Sequence, residues 1–515
     1  MVSDDEPLTP AGRLFLHPEM NTIIHCVIGL QQPLDVDQVK SVVGSSFMVQ
    51  HPRFTSLMVR DRQGMEHWRK IQIEIDRHII LADHHPLTTA ADDGTEGGVD
   101  SSSRAVSDYL AELSVSTPLS TDKPLWEVHV LTAHNCVILR IHHALGDGIS
   151  LMSMFLATCR KAAETESIPS MGVGGGDRKK SSSRSVLGRN WREILLGFVK
   201  MVVFSLVFAV EFLLRIWVSD RKTPIIGGAG VELWPRKLAV ASFRLEDMKA
   251  VKKAVAGATI NDVLFGVVSS GLSRYLDHRS PNALRNGLRL TGLAMVNLRE
   301  QPGLQVHFSL PPPCLWFVVL EIKYRNSICF VKMAMAFFGQ ELSDLMKSNS
   351  GSPWGNKFGM LLLPVYYHKS SGNPLDYLRR AKTMIDRKKQ SLEGHLSYNI
   401  GNILMSCFGP KVAWILNYRI MCNTSFTISN VIGPHDEITI AGVPVTYLRA
   451  NTSSLPHALT MHMVSYAGRA DMQMLVAKDI IPDPEFLAKC FQDALLEMKE
   501  AAAAATLSTQ NIEGN

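Results

Sequence analysis

Residues 136–148 read CVILRIHHALGDG, and this stretch decides how the fold of the chain is interpreted. The apolar run 137–141 predicts a strand, and the glycines at the end of the stretch allow the chain to turn tightly. A helical pattern follows over 148–164. The strand is therefore expected to deliver His142 and His143 to a loop that leads into a helix.

The spacing of His143 and Asp147 is short enough for the carboxylate to fold back beside the imidazole or to anchor the loop to a basic residue. Imidazole ionises near neutral pH, so a histidine in this position can act as a general base. An HxxxD match alone is more typical of a structural histidine. The doubled histidine, the preceding strand and Gly148 make the match more specific. Together they resemble the active-site context of coenzyme-A-dependent acyltransferases.

Strands and helices are mixed along both halves of the chain. The runs 459–466 and 471–477, separated by the turn sequence AGRA, predict a hairpin. This mixture predicts an α/β or α+β layered architecture, and a length of 515 residues predicts two or three domains. The other predicted elements are a strand at 126–132 and helices at 106–115, 245–256, 261–276, 375–391 and 484–503.

The composition is that of a globular protein, because 46% of the residues are hydrophobic and 20% are charged. The 53 basic residues nearly balance the 48 acidic ones, and a net charge of +5 is too small for a dedicated nucleic-acid binder. The eight cysteines are scattered without a CxxC pair, so neither a zinc site nor a disulfide framework is indicated. The acidic N-terminal residues lack an apolar core, so no secretory signal is predicted.

A basic, flexible linker over 167–188 precedes an apolar stretch, 194–218, that is long enough to cross a bilayer. The charged residues of this region form one stripe on a helical wheel, which fits a helix lying in or against the membrane at least as well as a crossing helix. The alternative is a buried core helix whose stripe faces polar protein. The stripe consists of Arg189, Glu193, Lys200, Glu211 and Arg215, and the basic run of Arg178, Lys179, Lys180, Arg184, Arg189 and Arg192 is expected to face anionic headgroups.

Six short motifs occur in order along the chain. They are PLTPAGR at 7–13, PLWE at 124–127, HHALGDG at 142–148, ND at 261–262, NLR at 297–299 and SNVIGP at 429–434. In this order they resemble the motifs of the plant-type bifunctional wax ester synthase/diacylglycerol acyltransferases, and the resemblance extends almost from end to end. Plant BAHD acyltransferases share the HxxxD motif, but their DFGWG signature is absent from this sequence.

The resemblance implies two pseudo-symmetric domains of the coenzyme-A-dependent acyltransferase type with a substrate tunnel between them. The expected N-terminal domain covers 1–166 and the C-terminal domain covers 239–503. The linker and the apolar helix occupy 167–238. The tunnel is expected to hold acyl-CoA from one side and an acceptor alcohol from the other. Neither a metal nor a cofactor is expected, because acyl-CoA is a substrate.

The same resemblance implies roles for individual residues. His143 is expected to take the proton of the acceptor hydroxyl, Asp147 to fix the loop, and His142 either to tune the base or to pack. Asn261 is expected to donate a hydrogen bond near the oxyanion, or alternatively to cap the following helix. The predicted substrate-binding residues are Pro124, Leu125, Trp126, Gly148, Asn261, Asp262, Ser429 and Asn430.

Residues 306–340 depart from the family pattern, because related sequences run from a Gly-Leu-Gln sequence directly into one like Glu-Leu-Ser-Asp-Leu-Met. The segment is apolar, lacks a clean helical or strand period, begins with a valine and ends with a glutamine. Valine codons start with GT and a glutamine codon can end in AG, so we interpret the segment as a translated intron. The alternative is a genuine apolar insertion that touches the membrane. Sequencing of the spliced transcript distinguishes the two.

The expected activity is transfer of a fatty acyl group to a long-chain alcohol, which makes a wax ester, and secondarily to diacylglycerol, which makes triacylglycerol. The alternative is a catalytically silent, membrane-bound lipid-binding protein. If both halves build one active site, they must lie on one side of the membrane, and 194–218 is too short to cross twice. The helix is therefore expected to lie on the membrane surface or dock on the enzyme. The expected location is the endoplasmic reticulum membrane with the active site facing the cytosol, or alternatively the plasma membrane.

Overall fold

Two mixed sheets form the framework of the chain in its computed structural model, which describes residues 5–62, 64–82, 101–116, 118–162, 191–298, 354, 356–369 and 372–513. Strands and helices occur together in both halves, so the predicted mixed α/β class is confirmed. The basic linker 167–188 and the insertion 306–340 lie outside the described residues, and their interpretations stay predictions.

The strands are β1 (Glu6–Pro7), β2 (Ile23–Leu30), β3 (Ser56–Arg60), β4 (Glu66–Lys70), β5 (Ile79–Leu81), β6 (Trp126–Leu131), β7 (Cys136–His142), β8 (Arg160–Lys161), β9 (Arg236–Arg244), β10 (Arg289–Asn297), β11 (Phe358–Tyr366), β12 (Phe426–Ile432), β13 (Ile438–Ile440), β14 (Val443–Thr452), β15 (Leu459–Tyr466) and β16 (Arg469–Ala477). The helices are α1 (Pro10–Phe15), α2 (Val36–Ser45), α3 (Phe47–Gln50), α4 (Ser101–Ser116), α5 (Gly148–Thr158), α6 (Trp191–Leu214), α7 (Leu245–Lys253), α8 (Ile260–Arg279), α9 (Leu375–Lys389), α10 (Glu393–Cys422) and α11 (Pro484–Glu513).

The first sheet has seven strands in the order β5-β6-β7-β2-β14-β13-β8. The second sheet has six, in the order β11-β10-β12-β15-β16-β9, and a small third sheet has the order β1-β4-β3. The apolar core of the first sheet includes residues of α2 and α5, and that of the second includes residues of α7, α8, α9 and α11. Each sheet is therefore covered by helices, as a layered α/β protein requires.

The hairpin and the strand–loop–helix unit predicted from the sequence are both present. Ala467 and Gly468 connect β15 to β16 with φ values of 44° and 80°, which is the conformation of a type I′ turn. The helix predicted over 148–164 is shorter than expected and ends at Thr158. Cys159 is extended, and the two residues after it form β8, which pairs with β13. Pairing with a distant strand thus overrides the local helical pattern.

The strands are not divided between the sheets at the predicted domain boundaries. Strand β14 lies beside β2, and β13 lies beside β14, so residues 438–452 complete the first sheet although they were assigned to the domain 239–503. The second sheet already includes Arg236, at the start of β9. The alternation of a strand shows which residues face a core, but it does not show which strand is its neighbour.

Helix α6 packs on the second sheet through one face. Phe208 and Phe212 are buried in a cluster with Leu293 of β10 and Leu362 of β11. Glu211 forms ion pairs within the protein, so this part of the predicted polar stripe does not face lipid. The prediction of a helix docked on the enzyme therefore agrees with the structure. The segment Leu195–Leu214 is nevertheless long and apolar enough to cross a membrane.

Candidate active site

A large cavity lies between the two sheets, where β7 ends and α5 begins. It has a volume of about 420 Å³ and opens to solvent. Strands β2, β7 and β14 line it from the first sheet, and β10, β12 and β15 line it from the second. His143, Asp147 and Gly148 all lie in its wall, and the family resemblance implies a substrate tunnel between the two halves of the molecule. Among the described residues, no three His, Cys, Asp or Glu side chains are grouped as a metal site would require.

His143 follows β7 directly and shares the cavity face of that strand with Ile141, because alternate residues of a strand point the same way. Its ring stacks on Phe15 with 4.1 Å between the ring centroids, and the ring of Phe358 is 5.8 Å away. Burial lowers the pKa of His143 below its usual range, and the charge of Asp147 opposes this with a smaller effect. The imidazole is therefore neutral at physiological pH, as a general base must be.

Asp147 anchors the active-site loop through both carboxylate oxygens. Oδ1 accepts a hydrogen bond from the backbone N–H of Ser150 at 3.1 Å and so caps helix α5. Oδ2 accepts one from the backbone N–H of Lys357 at 3.1 Å, just before β11 of the second sheet. This geometry supports the loop-fixing role expected for Asp147, and it ties the loop to the other half of the molecule.

His142 faces the opposite side of β7 and does not line the cavity. Its Nδ1 accepts a hydrogen bond from the backbone N–H of Ala144 at 3.1 Å, so Nε2 carries the hydrogen that it donates to Oδ1 of Asn21 at 2.8 Å. Burial, together with the nearby charge of His143, lowers the pKa of His142 to about 3. Of the two expected alternatives, the geometry supports packing, and the assignment of His142 as a catalytic residue is corrected accordingly.

The ND and SNVIGP motifs meet at the cavity wall. Nδ2 of Asn430 donates to Oδ1 of Asn261 at 2.8 Å, and both residues line the cavity together with Ser429. Helix α8 is capped by Thr259, so the capping alternative for Asn261 is wrong. Asp262 is buried and its Oδ2 accepts from the backbone N–H of Thr259 at 2.6 Å, which completes a capping box. The predicted substrate-binding role of Asp262 is therefore corrected to helix capping.

Pro124, Leu125 and Trp126 are buried in the first half of the molecule and do not line the cavity. Trp126 donates from Nε1 to the carbonyl oxygen of Phe54 at 2.9 Å and stacks on His78 with 3.9 Å between the centroids. Their predicted contact with substrate is therefore not supported. They lie just before and at the start of β6, which pairs with β7 in the sheet. They therefore support the strand that carries the active-site loop.

Two residues before β11 contact the loop, although the sequence analysis did not single them out. Trp354 donates from Nε1 to the carbonyl oxygen of Leu145 at 2.8 Å. Nδ2 of Asn356 donates to the carbonyl oxygen of His143 at 2.8 Å, and its Oδ1 lies 3.1 Å from Nδ1 of the same histidine. Asn356 is 213 positions from His143 and belongs to none of the recognised motifs, so only the folded chain reveals the contact.

His462 of β15 is a second histidine in the cavity wall. Its Nε2 lies 3.1 Å from Oγ1 of Thr452 on β14, which connects the two sheets. Within the described part of the chain, its buried Nδ1 has no hydrogen-bond partner. Burial, with a further contribution from the charge of His143, lowers the pKa of His462 to about 4. His462 is thus a neutral imidazole in the cavity wall at physiological pH.

Two protein-family models match the chain. Residues 102–264 match the wax ester synthase/diacylglycerol acyltransferase catalytic domain, and residues 354–499 match the C-terminal domain of the same family. Wax ester synthase/diacylglycerol acyltransferase 5 of Arabidopsis thaliana is 32% identical over 96% of this chain and 94% of the relative. Wax ester synthase/diacylglycerol acyltransferase 11 of the same plant is 30% identical over 97% of this chain and 95% of the relative.

Solved structures show the same fold at low sequence identity. The wax ester synthase/diacylglycerol acyltransferase from Marinobacter aquaeolei VT8 superposes with a TM-score of 0.54 at 16% identity, covering 96% of this chain and all 100% of the other. The first condensation domain of the calcium-dependent antibiotic synthetase superposes with a TM-score of 0.52 at 12% identity, covering 98% and 97%. At these identities the likeness concerns the arrangement of the sheets alone.

Proposed function

Because the chain belongs to the wax ester synthase/diacylglycerol acyltransferase family, a family of acyltransferases, we propose that it moves a fatty acyl group from acyl-CoA to the hydroxyl of a lipid acceptor. The proposed main acceptor is a long-chain alcohol, which gives a wax ester, and the secondary acceptor is diacylglycerol, which gives triacylglycerol. The observation that carries the proposal is the neutral, buried imidazole of His143 in the wall of a large cavity.

In the proposed reaction, Nε2 of His143 takes the proton of the acceptor hydroxyl while that oxygen attacks the thioester carbonyl carbon. The resulting tetrahedral oxyanion re-forms its carbonyl and expels the CoA thiolate. The protonated imidazole then returns its proton to the thiolate, so ester and CoA are released and the enzyme is unchanged. This scheme needs no acyl-enzyme intermediate and no metal.

The oxyanion needs a hydrogen-bond donor in the cavity wall. Oδ1 of Asn261 is engaged by Asn430, so the Nδ2 group of Asn261 is the part of that side chain that can donate to a substrate oxygen. This supports the role expected for Asn261 near the oxyanion. Ser429 and Gly148 also line the cavity and are proposed to contact the substrates.

The cavity continues as an apolar groove between the first sheet and α5, which supports a long-chain substrate. A second, smaller cavity of about 80 Å³ shares Leu139 and Phe155 with the main one and extends farther along the same strands. Three cross-strand pairs of β7 and β2 line this groove. In order from the active-site loop they are Ile141 with Ile24, Leu139 with Cys26, and Val137 with Ile28. The path from His143 back to Val137 measures about 20 Å at the rise of a β-strand, comparable with an extended palmitoyl chain. We place the alkyl chain of one substrate there.

A bulky residue at the far end of this groove is expected to shorten the preferred chain. Val137→Phe fills the second cavity without touching His143, so transfer involving palmitoyl chains is expected to fall about tenfold or more relative to octanoyl chains. Rates with matched series of acyl-CoAs and alcohols measure the effect, and the series that shifts identifies which substrate occupies the groove. Val137→Ile is the matched control with little added volume. An unchanged preference in both series would contradict the placement.

The outward face of α6 supports the proposed association with a membrane. Soluble proteins seldom expose apolar patches of this extent unless the patch binds a membrane or a partner. The exposed apolar residues of this region are Leu195, Leu196, Phe198, Val199, Val202, Val203, Leu206, Val207, Val210, Leu213, Leu214, Trp217 and Val218. Because the other face of α6 packs on the second sheet, we propose that the helix lies in the surface of the endoplasmic reticulum membrane on its cytosolic side, with the plasma membrane as the alternative location.

Charges on that face are expected to weaken membrane binding. Leu206 and Val210 are 62% and 58% exposed, and burial of each side chain in lipid contributes about 1.5–3 kcal/mol. The double variant Leu206→Glu/Val210→Glu should therefore bind vesicles of phosphatidylcholine and phosphatidylserine at least about a hundredfold more weakly in a flotation assay. Phe47→Glu, at an exposed apolar residue on α3, is the control and should float like the unchanged protein. Equal flotation of all three proteins would contradict the role of α6.

The activity itself is tested with labelled palmitoyl-CoA, offering hexadecanol and diacylglycerol in parallel to membranes that contain the protein. Wax ester is expected as the main product and triacylglycerol as the minor one. Product with diacylglycerol alone would reverse the proposed acceptor preference. Binding of palmitoyl-CoA without product from either acceptor would favour the alternative of a catalytically silent lipid-binding protein.

A further inference from the structure

We propose that Asn356 is a positioning residue that holds the His143 imidazole in the tautomer with hydrogen on Nδ1, so that Nε2 presents its lone pair to the acceptor hydroxyl. The inference rests on the proposed function, because it assigns His143 the role of the base. It adds a residue from the C-terminal half of the chain to a site whose recognised motif lies entirely in the N-terminal half.

The tautomer follows from the two hydrogen bonds that Asn356 makes with one residue. The carbonyl oxygen of His143 can only accept, so the Asn356 atom 2.8 Å from it must be the amide nitrogen. This fixes the orientation of the amide and turns Oδ1 towards Nδ1 of the imidazole, at 3.1 Å. Oδ1 in turn can only accept, so Nδ1 must carry the hydrogen. In a neutral ring the lone pair then lies on Nε2.

Neighbouring contacts make this arrangement rigid. Asn356 is 5% exposed, and Trp354 and Lys357 on either side of it are bonded to Leu145 and Asp147 of the loop. Gly146 leaves room for the indole, since a Cβ there would stand 3.3 Å from the Trp354 ring. The loop and the segment that leads into β11 therefore act as one unit, and rotation of the His143 ring would break its hydrogen bond to Oδ1 of Asn356.

The amide also matters because it is uncharged. In the part of the chain that the structure describes, the titratable groups around His143 are Asp147 in the loop, His142 at the end of β7 and His462 on β15. The Asp147 carboxylate is bonded by two backbone N–H groups, and both histidines are neutral at physiological pH. An amide at position 356 thus accepts from Nδ1 as a carboxylate would, donates to the His143 carbonyl oxygen as a carboxylate could not, and adds no negative charge that would favour the protonated imidazole.

The decisive variant is Asn356→Asp, compared with Asn356→Leu. The carboxylate of Asn356→Asp can still accept from Nδ1, although it cannot donate to the His143 carbonyl oxygen, and it stabilises the imidazolium. The acidic limb of the kcat/KM profile should therefore move up by one pH unit or more, with activity recovering at high pH. Asn356→Leu cannot hold the ring and should lose about tenfold or more in kcat at every pH, with little change in the KM for palmitoyl-CoA. Equal, pH-independent losses in both variants would overturn the proposal.

A second measurement does not require turnover. In protein labelled with ¹⁵N-histidine and assigned with a His143→Ala variant, the His143 signals should report hydrogen on Nδ1 in the unchanged protein and a mixture of tautomers in Asn356→Leu. Hydrogen on Nε2 in the unchanged protein would overturn the proposal whether or not the variants fold. If the unchanged protein transfers no acyl group to hexadecanol or diacylglycerol, the proposed function fails, while the tautomer is still determined by these spectra.

Discussion

Replacement of His143 by alanine is expected to lower kcat for palmitoyl transfer to hexadecanol by about 10²–10⁴-fold, the usual contribution of a general base. The ring of His143 is the neutral imidazole at the wall of the main cavity beside Phe15, and Nε2 is the atom proposed to take the proton. Loss of the ring removes proton transfer but leaves the apolar groove, so the KM values should change little. Initial rates at equal amounts of folded protein measure the effect.

His142→Ala is the matched control, because this histidine is the adjacent residue and bonds to Asn21 on the other side of the strand. The variant loses two buried hydrogen bonds, so a loss of about 1–3 kcal/mol in the free energy of unfolding is expected. Among the molecules that stay folded, kcat should fall less than about tenfold. A loss at His142→Ala as large as that at His143→Ala would contradict the assignment of the base.

Local patterns explain which parts of the fold could be predicted. The apolar runs at 137–141 and in the β15–β16 hairpin indicate burial within a few neighbouring residues, and the structure contains both units. The end of α5 and the position of 438–452 depend on which strands pair across the whole chain. Nothing in the residues of β8 or β13 specifies those partners, so both were missed.

The site divides in the same way. His143 and Asp147 lie in one loop, and their spacing is visible in the sequence. Asn356 is distant in the sequence and contacts that loop only in the folded chain. His462 lies in a strand whose sequence resembles apolar core, so its place in the cavity wall was not predicted. The capping role of Asp262 could have been predicted from the sequence. Thr259 and Asp262 have the spacing of a capping box and therefore mark the start of α8.

The end of α6 is fixed to the second sheet by a buried ion pair. Nη1 of Arg215 lies 2.7 Å from Oδ1 of Asp220, and the two side chains are 8% and 4% exposed. The Asp220 carboxylate also accepts hydrogen bonds from the backbone N–H of Thr291 at 2.6 Å and from Oγ of Ser425 at 2.6 Å. Arg215 reaches the carbonyl oxygen of Asn423 at 3.0 Å. The pair thus joins α6, β10 and the chain before β12.

Asp220→Ala is expected to lower the free energy of unfolding by about 3–5 kcal/mol, because it leaves the buried Arg215 charge with only the longer ion pair to Glu211. Chemical denaturation measures the loss, which is a large share of the usual stability of a domain. The double variant Arg215→Met/Asp220→Ala removes both charges and should recover much of it. Glu246→Ala breaks an exposed ion pair with Arg244 and should change stability by less than about 0.5 kcal/mol. If Asp220→Ala behaves like Glu246→Ala, the ion pair does not hold α6, and the membrane face of that helix must be fixed to the enzyme by its other contacts, such as Phe208, Phe212 and the ion pair of Glu211 with Arg289.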